Sequence, residues 1–455
     1  MKDFIRILTS IVCAAFLSAC QTGENSAPVK PVPEPAEYTV TFAFDYDAAG
    51  GPPPAITVKE GSTPGGSFPN DPARDGWEFS GWYNYADVYT RDTPITKNTQ
   101  LTARWHLEIT GNPAIDQRFG VFTADPAALV VGDTVYLYTG HDENPGNSTG
   151  SFKMFDWLCF STKDMKKWTY HGPVLARRDF SWGRPIPAPG GKEAEFAVAD
   201  AWAAQVVQRG SKFYFYVTTR SSLDAGDPRA IGVAVGSSPV GPFKATGEPV
   251  IRGTEMPDDI DDWGKHIDPT VWVDDDGTPY LVWGNTTGAV KPNGFAYEHC
   301  YMAKLAPNMI QMSGAIWTQH LDNYTEGPWL YKRGQWYYLV YASHTLKTPT
   351  NANTGSERIS YAMAESITGP WTSKGQLTGP ARGFTIHPSI IEFKGQSYFI
   401  YHTDAPFTLN DFYGQPVSGA IGRRAVCIEY LYYNDDGTIK PIIQTTAGIS
   451  VPPRQ

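Results

Sequence analysis

The chain has 455 residues, enough for about two to four ordinary domains or for one large all-β unit with a small module beside it. Charged residues make up only 18% and aromatic residues 13%, while glycine and proline number 44 and 37, a mixture that argues against helix bundles, coiled coils and bulk disorder. The formal charge of −10 lacks the basic footprint of a protein with a nucleic-acid partner.

At the N-terminus, Lys2 and Arg6 precede an apolar run from Ile7 to Phe16 that ends in Leu17-Ser18-Ala19-Cys20. The run is too short to span a bilayer as a permanent helix and has the form of an export signal. Its ending resembles a bacterial lipobox. Residues 1–20 are therefore predicted to be a lipoprotein signal peptide, with Cys20 becoming the lipid-modified first residue. The mature protein is expected to be exported and lipid-anchored to the bacterial cell envelope, on the outer membrane or its periplasmic face. Three further cysteines, Cys159, Cys300 and Cys427, sit in apolar strand-like runs without metal-ligand spacing and read as buried thiols.

Residues 21–37 are polar and proline-rich and read as a semi-extended linker. A compact β pattern follows over 38–106. Its strands are Tyr38 to Phe44, Gly76-Trp-Glu-Phe-Ser-Gly-Trp-Tyr83 and Thr99 to Trp105. The aromatic centre and the closing Leu-Thr-Ala-Arg-Trp resemble the internalin-type B repeat, a small β-grasp-like module. The module holds no titratable cluster, so a spacer or packing role is expected of it, with carbohydrate or wall binding as the alternative.

The remainder, 111–455, repeats. Five segments share a polar or aromatic head, small or proline residues, an apolar strand, a turn and a Tyr-rich strand. Their heads are Asp125, Trp202, Asp268, Glu326 and His387, spaced 77, 66, 58 and 61 residues apart. Glycine or Asp-Gly between the paired runs is a hairpin signal. A further strand and an amphipathic tail follow four of them, beginning at Phe160, Val233, Ala303 and Ala362. An all-β fold is predicted, a five-bladed β-propeller of four-stranded sheets with the small module ahead of it.

Equivalent heads belong at equivalent places around one mouth of the central channel. Buried unpaired carboxylates cost several kcal/mol, so three acids and a histidine at that mouth point to chemistry rather than folding. Paired acids around a polar cleft suit glycosidic cleavage, with one protonated to donate to the leaving oxygen and another ionised. A third carboxylate raises an acid's proton affinity by like-charge repulsion.

At these residues the repeat domain resembles glycoside hydrolase family 43. The marks are FTADPAALVVGDTVYLYTG, IDPTVWVDDDG, TEGPWLYKRGQWYYLVYA, IHPSIIEFKGQSYFIYH and GRRAVCIEYLYYNDDGTI, in the family's order. The resemblance implies that Asp125 is the general base, Glu326 the general acid and Asp268 the third acid that tunes and orients Glu326. It implies that His387 lies near the channel, where it reaches a calcium ion through waters. Arg423 is expected to contact the sugar at the reacting subsite, with the adjacent Arg424 as the alternative. No cofactor is required for the chemistry, and calcium in the channel would be structural. The implied activity is inverting hydrolysis of terminal pentose or furanose residues of plant-type polysaccharides or oligosaccharides by a monomer. An α-L-arabinofuranosidase or β-xylosidase leads. A galactofuranosidase, an endo-arabinanase of the same fold and a non-catalytic carbohydrate-binding propeller are the alternatives.

Trp202, which stands where the other heads are ionisable, is expected to form a sugar-facing wall. Asp274-Asp275-Asp276-Gly277 reads as a hairpin turn rather than a calcium loop, and His141-Asp142-Glu143 as a loop near the cleft. Trp182 is assigned to a subsite or a surface loop.

Overall fold

The computed structural model describes residues 34–46, 50–115, 117–143, 152–183, 200–223, 229–252, 266–284, 300–343, 357–382, 385–404 and 423–454. The expected signal peptide, Cys20 and nearly all of the expected linker lie outside the described residues. Among those described, no helix is long and apolar enough to cross a membrane.

The small module comprises β1 (Glu37–Ala43), β2 (Ile56–Lys59), β3 (Glu78–Asn84), β4 (Asp87–Tyr89) and β5 (Thr99–Glu108). Strand β1 pairs antiparallel with β2 and parallel with β5, whose other edge takes β3. Alternation places Val40, Trp82, Leu101 and Trp105 on one buried face, where aromatic edges close the core.

The first repeat forms β6 (Phe122–Val131), β7 (Thr134–Asp142), β8 (Met154–Thr162) and β9 (Lys167–Ala176). The second forms β10 (Ala204–Arg209), β11 (Lys212–Arg220), β12 (Arg229–Gly236) and β13 (Phe243–Ala245), with β14 (Ile251–Arg252) also on β12. The third holds β15 (Thr270–Val273), β16 (Pro279–Trp283), β17 (Cys300–Leu305) and β18 (Met312–Gln319). Strands β19 (Tyr324–Arg333), β20 (Trp336–Ser343), β21 (Arg358–Ala364) and β22 (Thr372–Gln376) make the fourth. The last repeat gives β23 (Ser389–Phe393), β24 (Gln396–Asp404) and β25 (Arg424–Leu431).

All five expected hairpins are antiparallel pairs. Asp274 to Gly277 is the β15–β16 turn, closed by Asp274 N–H to Thr278 O and Gly277 N–H to Asp274 O. The innermost strands β6, β10, β15, β19 and β23 touch in succession, and β23 returns to β6. The result is an all-β propeller around a channel.

The structure differs from the expected blade pattern in three respects. Four repeats carry complete four-stranded blades among the described residues, whereas the last gives a three-stranded sheet. At its outer edge Ala114 N–H donates to Val426 O at 2.7 Å and Ile115 bridges Val426, a pairing too short to count as a strand. The amphipathic tails are turns leading into each fourth strand, as at Asp164, whose carboxylate accepts the Lys166 and Lys167 N–H groups. Finally, β5 runs past residue 106 and pairs with β9 (His106 opposite Thr169), so the module and the first blade share a nine-stranded sheet.

Trp182 is neither a subsite nor a surface residue. It is buried against Phe180, and its indole N–H donates to Thr246 O. Cys159, Cys300 and Cys427 are buried free thiols.

Candidate active site

The carboxylates at the strand heads sit where regular strand geometry breaks, by left-handed backbone, by a slip in the ladder, or by both. Asp125 and Asp268 adopt left-handed φ values of +47° and +57°, where non-glycine residues are uncommon. The ladder slips between Ala124 and Ala127, and again on both sides of Glu326. Such irregularities re-aim a side chain out of the pleat. Here they turn acids away from the blade and towards the channel. Backbone strain of this kind is commonly stored at functional sites.

Asp125, Asp268, Glu326, Trp202, Phe152, Arg220, Arg229, Thr385 and Arg424 line one pocket of about 250 Å³, together with Ala203 and Ile267. Asp125 and Asp268 are buried, and Glu326 is half-buried. A larger cavity of about 360 Å³ lies farther along the innermost strands, lined by residues such as Val130, Val207, Trp272, Tyr331 and Ile391. It holds none of the three head acids.

Asp125 Oδ1 accepts from Arg424 Nη1 at 2.8 Å. The Asp125 N–H donates to His402 Nδ1 at 3.0 Å, so the ring's proton sits on Nε2, which donates to Thr385 Oγ1 at 2.9 Å. Burial, aided by Arg424 and His387, holds the imidazole of His402 well below its usual range, so it is a neutral acceptor. Its 3.4 Å approach to Asp125 Oδ1 is therefore not an ion pair.

Asp268 Oδ2 accepts the Gly327 N–H at 3.0 Å, while its own N–H donates to Thr218 Oγ1 at 2.8 Å. Asp268 thus grips the backbone immediately after Glu326. Burial, then Glu326 and Asp125, push its carboxyl well above the ordinary carboxylate range. Glu357, at the entrance to β21, is buried as well and accepts the Ile386 N–H. Burial and the same acids, Glu326 foremost, raise it too.

His387 is buried beside Gly327, and its Nδ1 lies 3.9 Å from Asp125 Oδ1. Burial lowers its proton affinity. Calcium takes about six to eight oxygen ligands. Around His387 the described groups offer a ring nitrogen and a carboxylate oxygen already held by Arg424. That donor set does not fit a directly ligated calcium ion, and among the described residues His387 belongs to no cluster of three ligating side chains.

Trp202 lines the pocket, with Arg220 and Arg229 over its ring at 5.1 and 5.8 Å. Arg423 does not line it. Its guanidinium lies 5.6 Å from the Phe122 ring centre, buried, while Arg424 faces the acids. Adjacent strand residues point to opposite faces, so only one of the two can enter the pocket.

Reading the letters alone also missed Asp142, Glu357, His402 and Thr385. The first was visible only as part of His141-Asp142-Glu143. In that stretch His141 Nδ1 lies 2.8 Å from Asp156 and 3.1 Å from Glu143, and these carboxylates raise its proton affinity against the burial that lowers it.

Residues 111–439 match the family model described as glycosyl hydrolases family 43. The chain belongs to that family. An arabinoxylan arabinofuranohydrolase from Bacillus subtilis is 30% identical over 376 residues, covering 77% of this chain and 67% of that protein. A solved α-L-arabinofuranosidase from Clostridium thermocellum is 30% identical with a TM-score of 0.52, covering 71% of this chain and 94% of its own. A β-xylosidase/α-arabinofuranosidase from a compost microbial metagenome, solved with xylotriose in a calcium-free form, shares the fold at 24% identity and a TM-score of 0.57, covering 74% and 98%. The family 43 protein described here is thus a glycosidase built on a β-propeller.

Proposed function

We propose that the pocket removes terminal α-L-arabinofuranosyl or β-D-xylosyl residues from plant-type polysaccharides or oligosaccharides by single displacement with inversion. The observation that carries this reading is the convergence of Asp125, Asp268, Glu326 and Arg424 on one pocket walled by Trp202. Asp125 is the general base. Arg424 holds its Oδ1, and its other oxygen takes the proton of the attacking water. Glu326 gives its proton to the leaving oxygen. Asp268, bonded to the Gly327 N–H, fixes the backbone that carries Glu326 and crowds it with a second carboxyl. Arg424 takes the sugar-contacting role expected of Arg423.

The test is hydrolysis of aryl α-L-arabinofuranoside, β-D-xyloside and β-D-galactofuranoside, with the product anomer followed by NMR. Turnover of either pentoside with inversion is expected, and Asp125→Asn and Glu326→Gln should each lose about 10²–10⁴-fold while staying folded. A folded wild-type protein that binds sugars and cleaves none would overturn the catalytic reading. Turnover of the galactofuranoside alone would reassign the sugar.

The N-terminus fits export and lipid anchoring at Cys20. Labelled palmitate should enter the wild-type chain and not Cys20→Ala. Residues 38–106 fit an internalin-type B-repeat spacer that holds the propeller away from the membrane, and the protein is proposed to act as a monomer without calcium at the reacting centre.

A further inference from the structure

Asp142 ends β7, and its side chain is wholly buried. It lies 282 residues from Arg424, yet takes three of that residue's donors. The backbone N–H and Nε reach Oδ2 at 2.9 Å each, and Nη2 reaches Oδ1 at 3.1 Å. The remaining nitrogen, Nη1, goes to Asp125. The Phe152 ring covers the guanidinium at 4.4 Å, and Met154 Sδ approaches Nη2 at 3.3 Å. Planarity makes this arrangement directional. Once Nε and Nη2 are fixed on one carboxylate, Nη1 has a single place to point.

We propose that Asp142 is a positioning residue for the hydrolysis. It seats the Arg424 guanidinium so that Nη1 is delivered to Asp125 and the adjoining face is presented to the sugar. Asp142 also takes up most of the cation's hydrogen bonds, leaving Asp125 a single hydrogen bond from Arg424, at Oδ1. The seat joins the first blade to the last at the channel mouth, so the base and the arginine that orients it come from opposite ends of the propeller domain. This inference rests on reading Asp125 as the base.

The test is a double-mutant cycle on kcat/KM with Asp142→Asn and Arg424→Lys. A lysine keeps the charge but places its single nitrogen near the position of Cζ, without the fork that serves both carboxylates at once. Each single variant is expected to lose about 10–100-fold, and the double variant to fall no more than about threefold below Arg424→Lys, because both changes remove the same placement. Losses that multiply, or wild-type kcat/KM in Asp142→Asn, would overturn the proposal.

Guanidinium rescue supplies a second readout. Millimolar guanidinium should restore turnover to Arg424→Ala saturably, and not to Asp142→Asn/Arg424→Ala. Absence of rescue in Arg424→Ala, or equal rescue in both, counts against the seat. If Asp142→Asn does not fold, rescue of Arg424→Ala alone decides. Failure of the underlying reading looks different: turnover by Asp125→Asn removes the base assignment, whatever the cycle shows.

Discussion

Gly327 offers the sharpest perturbation of the site, because two costs meet there and can be separated. Its φ is +60°, and an alanine in left-handed backbone costs about 1–2 kcal/mol. The added Cβ would also stand 3.0 Å from His387 Nδ1 and 3.2 Å from Cε1. Non-bonded heavy atoms prefer about 3.5–4.0 Å, so the imidazole or the β19 bulge must yield by roughly half an ångström. Gly327 is next to Glu326, and its N–H is the one that Asp268 accepts. A shift of this size at reacting groups is worth about 10–100-fold in rate. Gly327→Ala should therefore lose about 10–100-fold in kcat on an aryl pentoside and at least about 1–3 °C in Tm from the strain alone. Gly210, in the β10–β11 turn, shares the φ of +60° but has nothing within 4 Å of an added Cβ. Gly210→Ala should lose only the strain share of that stability and keep its kcat. Equal losses of kcat in the two variants, or wild-type kcat in Gly327→Ala, would refute the reasoning.

Three other outcomes are expected. The Asp268 carboxyl is raised by burial and by its acidic neighbours, so as pH climbs the unfolded chain sheds this proton first. Its stabilising contribution is complete in acid, below about pH 4, and is lost as pH rises. Asp268→Asn should accordingly melt higher than wild type near neutral pH, with the gain vanishing in acid, while turnover collapses; a Tm difference independent of pH would contradict this. Trp202→Ala should raise KM several-fold and change kcat less, because the ring walls the pocket and carries no group that moves a proton, and steady-state kinetics with an unchanged KM would remove it from the sugar's path. Deleting residues 1–108 strips β5 from β9 and exposes a strand edge, so the truncated propeller should self-associate in size-exclusion runs, and a stable monomer would show the junction to be dispensable.

What the letters disclosed was local. Each hairpin announces itself within about twenty residues, as Asp268 to Gly284 does, because turn glycines and alternating strands are near-neighbour effects. The heads Asp125, Asp268 and Glu326 followed from equivalence of the repeats, and their convergence on one pocket needed no long-range knowledge beyond it. The parts that escaped depend on register or on distant partners. One step at the entrance to β25 exchanges Arg423 for Arg424, and the two side chains point to different surroundings, so that only Arg424 sees the acids. Asp142 acquires its meaning from a residue 282 positions away. The continuation of β5 onto β9 is a pairing between two edges, each of which looks like an ordinary outer strand when read alone.

The Ala114–Val426 bond and the Asn112 side chain, which accepts the Ile428 N–H at 2.8 Å, clasp the opening of the propeller domain to its final strand. That strand begins at Arg424. Unbuttoning the circle at this seam thus drags with it the arginine that holds Asp125. Heat should cost the protein its activity at the seam, before the blades themselves melt.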